Sequence, residues 1–161
     1  MVLLLQYTLI FASVLILVAL GGCFSEHSGV VNIGLEGIMV MGALGGALMM
    51  KYLPSTMAAP LVILFVILGS VIVGMVFSLF LGAAAIHFNA DQTLVGTALN
   101  LLGPAAAVVI VRAINMSESI DNVSSTVAYK EAKKAFLVNI GKFEFSWFML
   151  LALLILIVSY I

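Results

Sequence analysis

The chain has 161 residues, of which 65% are hydrophobic and 8% charged, and its mean hydropathy is +1.34. Soluble domains carry about 25% charged residues, so this chain has too little polar surface to coat a water-soluble globule and reads as a multi-pass membrane protein. A net charge of −1 offers no basic face to nucleic acid, and the single Cys23 excludes an internal disulfide.

A membrane-spanning helix needs about 20 predominantly apolar residues. The first such run covers residues 2–24. No Lys or Arg occurs before Lys51, so the run lacks the positive start of a signal peptide and is read as a retained span. Glu26 and His27, flanked by Ser25 and Ser28, form an interfacial turn. The second span, residues 30–53, is interrupted by Asn32 and Glu36 in the sequence VVNIGLEGIMVMGALGG. An ionisable group at membrane depth is expensive and marks a functional site by default. Asn32 and Glu36 are four apart, hence on one face if that stretch is helical. They serve either as a polar clamp or boundary between helices, or as contacts for a hydroxyl-rich ligand on a substrate path. Gly34, Gly37, Gly42 and Gly46 are helix-packing positions, the last two forming a GxxxG pair that lets backbones approach closely. The glycines around Asn32 and Glu36 also predict a kinked or discontinuous second helix.

The third span, residues 57–88, exceeds what a bilayer requires and is expected to tilt or break near Gly69 or Gly74. A polar hinge follows, HFNADQT, in which Asp91 and Gln92 make an interhelical turn and Asp91 caps the next helix. His87 and Asp91 would make an acid–base pair, but no nucleophile or metal triad accompanies them. The fourth span, residues 94–111, contains Thr97, Asn100 and the Gly103–Pro104 step, where proline should kink the helix. Asn100 joins Asn32 and Glu36 as a path or clamp candidate.

Residues 112–144 hold five of the six Lys and Arg and four of the seven acids. Within them, residues 117–126 read as loop. Residues 129–139 read either as a short amphipathic helix at the membrane surface or as a solvated loop. The fifth span is residues 145–161, and it stops inside an apolar run, as if the chain were cut in mid-architecture. No catalytic residue is identified. Cys23 has no second thiol or His pair at ligand spacing, so no metal site is expected. The pattern G-x-x-x-x-G-K-[ST] does not occur, so any nucleotide would be held by another subunit.

Two of these motifs together, SEHSGVVNIGLEGIMVMGA and NADQTLVGTALNLL, resemble the membrane-spanning permease subunits of ATP-binding-cassette (ABC) importers for nucleosides and simple sugars, in the superfamily that also serves ribose and branched-chain amino acids. The second motif is closest to the nucleoside branch. His27 stands where that family usually has Arg. The resemblance implies alternating access across the cytoplasmic membrane without covalent chemistry. It implies no cofactor on this chain, with ATP held by partner ATPase subunits. Its partners would be those ATPases, a second permease subunit, an extracytoplasmic substrate-binding lipoprotein and the bilayer. The chain resembles an N-terminal half, without the basic loop that docks on the ATPase.

The expected architecture is thus an all-α polytopic transmembrane helix bundle of about five spans, one permease region over residues 1–161 with a loop at 112–144. The positive-inside rule would place the Lys-bearing loops in the cytoplasm. The resemblance places residues 112–144 outside, and that orientation is adopted. The alternative function is a truncated membrane scaffold without transport activity.

Overall fold

A computed structural model describes residues 2–29, 31–54, 56–127, 137–140 and 143–160. Among the described residues five α-helices run in chain order: α1 Val2–His27, α2 Leu35–Tyr52, α3 Ala59–Gly82, α4 Gln92–Glu118 and α5 Trp147–Tyr160. Three are long and apolar enough to cross a membrane by length and composition: α1 from Tyr7, α3 with the turn that follows it to His87, and α4. Helix α2 has 18 residues, about 27 Å at 1.5 Å per residue, close to the ~30 Å hydrocarbon core. Helix α5 has 14 residues. The architecture is the expected all-α transmembrane one.

The chain divides into two compact units. One comprises Met1–Val30 and Lys133–Ile161. In it α1 packs on α5, and the small residues Ser13 of α1 and Ala152 of α5 are buried at 4% and 1% exposure. Helix α1 ends in a turn where the backbone N–H of Ser28 and of Gly29 donate to the carbonyls of Ser25 and Glu26, and Gly29 takes φ +82°, a conformation that favours glycine. This unit also holds an antiparallel strand pair, β1 Leu137–Ile140 and β2 Phe143–Ser146, with Leu137 opposite Ser146 and Ile140 opposite Phe143.

The second unit is Val31–Ala132. Helix α2 is its central element and packs on both α3 and α4. Its glycines divide between the two partners. A Cβ on Gly42 would meet the Ser70 carbonyl oxygen at 3.3 Å, and one on Gly45 the Gly69 carbonyl oxygen at 2.6 Å, both on α3. A Cβ on Gly37 would overlap the Leu99 carbonyl oxygen, and one on Gly103 would lie 2.7 Å from the Gly37 Cα, joining α2 to α4. Met41, Leu44, Phe77, Leu81, Leu99 and Val111 form the buried apolar cluster.

Four sequence expectations need correction. Helix α3 does not break near Gly69 or Gly74; those glycines are where α2 packs, and the irregularity comes later, as a π-helical turn at Ala83–His87. The second span is not helical from residue 30: residues 31–34 are an irregular lead-in, so Asn32 does not share a helix face with Glu36. Leu137–Asn139 belong to a strand, not to an amphipathic helix, and residues 129–136 of that stretch lie outside the described residues. Phe145 and Ser146 are likewise in strand, and α5 starts at Trp147. Pro104 lies inside α4, which is helical on both sides of it.

Candidate functional site

Helices α2 and α4 run parallel. Gly34 lies level with Gly96, Gly37 with Asn100, and Lys51 with Asn115 and Glu118. Helix α3 lies antiparallel to α2, since Gly42 approaches Gly74 and Gly46 approaches Val66. The α2 and α4 C-termini therefore share one end of this unit. The lead-in at 31–34 and the Asp91–Gln92 turn share the other.

At that second end the two sequence motifs are bonded to each other. Asn100 Nδ2 donates to the Ile33 carbonyl at 2.7 Å, and Asn100 Oδ1 accepts from the Gly37 N–H at 2.8 Å. One side-chain amide thus satisfies an acceptor before α2 and one of the N–H groups that the first turn of any helix leaves without an intrahelical partner. Gln92 Oε1 accepts from the Val31 N–H at 3.2 Å. Glycine at 34, 37, 96 and 103 makes this possible, because a Cβ on Gly96 would stand 2.9 Å from the Gly34 nitrogen. Asn100 lies eight residues past the start of α4, about 12 Å along its axis. Helix α2 therefore begins well inside the length of its neighbour. Pro104 has no N–H to bond the Asn100 carbonyl four residues earlier, so Asn100 sits where α4 is also locally weakened.

Asp91 caps α4: its Oδ1 accepts from the N–H of Thr93 at 2.7 Å and of Leu94 at 3.3 Å. Asn32 is partly buried, and its Oδ1 is a buried acceptor with no hydrogen-bond partner among the described residues. Such an atom calls for a donor, from water or ligand. Glu36, second residue of α2, is exposed and makes no ion pair or hydrogen bond with a described residue. Asn32 and Glu36 thus flank the segment that Asn100 holds, while Gly42 and Gly46 face α3 further along α2, away from it.

The chain matches, over residues 4–161, the family described as branched-chain amino acid transport system / permease component. It belongs to that permease family. It is 46% identical over 118 residues to the guanosine ABC transporter permease protein NupQ of Bacillus subtilis, covering 72% of this chain and 36% of the relative. It is 33% identical over 121 residues to the nucleoside ABC transporter permease protein NupC of Lactococcus lactis, covering 75% and 38%. A shorter stretch of 43 residues is 54% identical to the putative glucose ABC transporter permease protein TsgC13 of Haloferax volcanii, covering 27% and 13%. The chain spans 36% and 38% of the length of the two nucleoside permeases it matches. No solved structure matches it.

Sequence reasoning missed a second polar cluster in this permease, at the C-terminal ends of α2 and α4. Lys51 Nζ lies 2.9 Å from Glu118 Oε1 and donates to Asn115 Oδ1 at 3.3 Å. Its side chain is only 10% exposed, so a charge there needs those partners. Asn115, 3% exposed, donates through Nδ2 to the carbonyls of Ser124 at 2.8 Å and Thr126 at 3.0 Å. It fastens the following loop back onto the helix end. Elsewhere, Cys23, Glu26 and His27 line a shallow open depression on α1. Among the described residues, no group of three or more His, Cys, Asp or Glu is placed to hold a metal ion.

Proposed function

We propose that this chain forms part of the membrane-spanning path of an ABC importer for nucleosides in the cytoplasmic membrane. The observation that carries this reading is the 46% identity to a guanosine permease across 72% of the chain. The site geometry supports it. Glu36 is exposed close to the start of a helix that begins inside the length of its neighbour, and an exposed carboxylate at that depth is tolerated where it meets water or a polar partner, not lipid. Glu36 presents an exposed acceptor that suits the hydroxyl groups of a ribose, and Asn32 Oδ1, close by, is a buried acceptor without a partner among the described residues. Asn100 sets the position of the segment that bears both.

On this reading the permease performs no covalent chemistry and binds no cofactor. Its ATPase subunits hold ATP, a second permease subunit completes the path, and an extracytoplasmic lipoprotein delivers the nucleoside. The loop after α4 faces that lipoprotein.

The test is a chimera. The matched 118-residue stretch of this chain replaces its counterpart in the Bacillus subtilis guanosine permease, and cells lacking that permease are assayed for labelled guanosine uptake. Uptake by the chimera, reduced by Glu36→Ala, supports the reading. A chimera that inserts and binds its ATPase yet takes up no nucleoside contradicts it.

A further inference from the structure

We infer that α2 and α4 move as one rigid body through the transport cycle, so that the path does not open between them. The inference rests on the importer reading above, but its basis is geometric. The two helices are pinned at both ends. At one end Asn100 bonds the backbone on both sides of the α2 start, at Ile33 O and Gly37 N, and Gln92 holds Val31. At the other, Lys51 is held by Glu118 and Asn115, both on α4. Gly37 and Lys51 are 14 residues apart, so the pins are separated by about 21 Å.

Near the first pin the helices touch backbone to backbone. The Gly37–Gly103 and Gly34–Gly96 approaches leave no layer of side chains that could interdigitate in a second arrangement. A one-turn slip would break both Asn100 bonds and pull Lys51 away from Asn115. Switching elements need two discrete packings of comparable energy, and this contact offers one. The α2–α3 contact differs in kind: among the described residues no side-chain hydrogen bond joins those helices, and the glycines at 42, 45, 46, 69 and 74 pack there against Ser70, Val66, Val73, Ile38 and Met49. Polar pins at both ends therefore distinguish α2–α4 from α2–α3.

The experiment replaces the second pin by a tether. In the complete transporter, with Cys23→Ser, Lys51→Cys and Glu118→Cys are joined by a short bis-methanethiosulfonate reagent, and labelled nucleoside uptake is measured before and after cleavage with a reductant. The inference predicts that the tethered transporter imports within about twofold of the cleaved one, because a bond between parts that do not separate leaves a conformational cycle untouched. A larger loss on tethering that the reductant restores overturns it. In a second background that keeps Lys51 and Glu118 and carries one reporter cysteine on each of α2 and α4, Asn115→Ala, which leaves the first pin intact, is predicted to widen the cross-linking distance range, read by reagents of graded length. An unchanged range would show that the polar cluster fixes nothing, and would overturn the second pin. Absence of nucleoside uptake by the untreated wild-type transporter would instead refute the importer reading, separately from either result.

Discussion

Replacing Asn100 isolates the contact that joins the two motifs. Asn100→Leu keeps much of the volume but removes the acceptor at 2.8 Å from Gly37 N and the donor at 2.7 Å from Ile33 O. Both former partners are backbone groups, and neither has a side chain that rotates toward water. A side-chain hydrogen bond between membrane helices averages about 0.6 kcal/mol with a maximum near 1.7. Gly37 is buried, so its N–H left without a partner costs about 1–3 kcal/mol, whereas the carbonyl of exposed Ile33 loses only its bond. Two bonds lost at once should therefore destabilise the protein by about 1–4 kcal/mol. Asn100→Asp is the sharper probe. It is nearly isosteric and still accepts from Gly37, but it turns an acceptor toward the Ile33 carbonyl in place of a donor. It should be at least as damaging as Asn100→Leu. The assay is reversible unfolding of purified protein in mixed micelles titrated with a denaturing detergent. Thr97→Ala serves as control, since the Thr97 hydroxyl bonds only the Thr93 carbonyl of its own helix. If Asn100→Leu and Asn100→Asp both unfold with the control, the clamp has no energetic weight and the reasoning fails.

Three further outcomes follow from the packing. Gly37→Ala should cost about 1–3 kcal/mol as overpacking, whereas Gly21→Ala, with nothing within 4 Å of the added Cβ, should be neutral or stabilising; equal stabilities in the same titration would remove the close α2–α4 approach. With Cys23→Ser, the pair Gly42→Cys and Gly74→Cys should oxidise to a disulfide, because a Cβ on Gly74 would lie 3.8 Å from the Gly42 Cα and one on Gly42 4.0 Å from the Gly74 Cα, so the two side chains start in contact; failure to close under mild oxidant, read by gel mobility, would contradict the α2–α3 alignment. Ser124→Cys in the same background should react with an impermeant thiol reagent in intact cells, as an extracytoplasmic loop requires; labelling only after lysis would reverse the topology.

Local chemistry was legible where it depends on neighbours in sequence. Asp91 caps α4 as its place before the apolar run implied, and the long helices follow the apolar runs. What depends on helix alignment was not. Lys51, Asn115 and Glu118 are up to 67 positions apart in the sequence, and only the parallel α2–α4 packing makes them neighbours. Asn100 was named from its polarity, but its two backbone partners were invisible, since they are peptide groups that every residue carries. Gly69 and Gly74 misled because a glycine in a long apolar helix serves close packing as readily as bending. The π-turn at Ala83–His87 carries no glycine or proline to mark it. The face shared by Asn32 and Glu36 was inferred from helical periodicity, which does not apply to a residue lying before the helix. The strand pair was missed because each strand is only four residues long and Phe145–Ser146 run straight into the apolar stretch of α5.

The central claim is the proposal that the importer of which this chain forms part carries nucleosides along a path that includes the acceptors around the start of α2. The most direct measurement is ATP-driven uptake of labelled guanosine into membrane vesicles holding the permease with its ATPase and binding protein, competed in turn by unlabelled nucleoside, glucose and leucine. The account predicts that only the nucleoside competes and that Glu36→Ala lowers uptake while leaving assembly intact. Competition by leucine or glucose but not by nucleoside, or full uptake by Glu36→Ala, would contradict it.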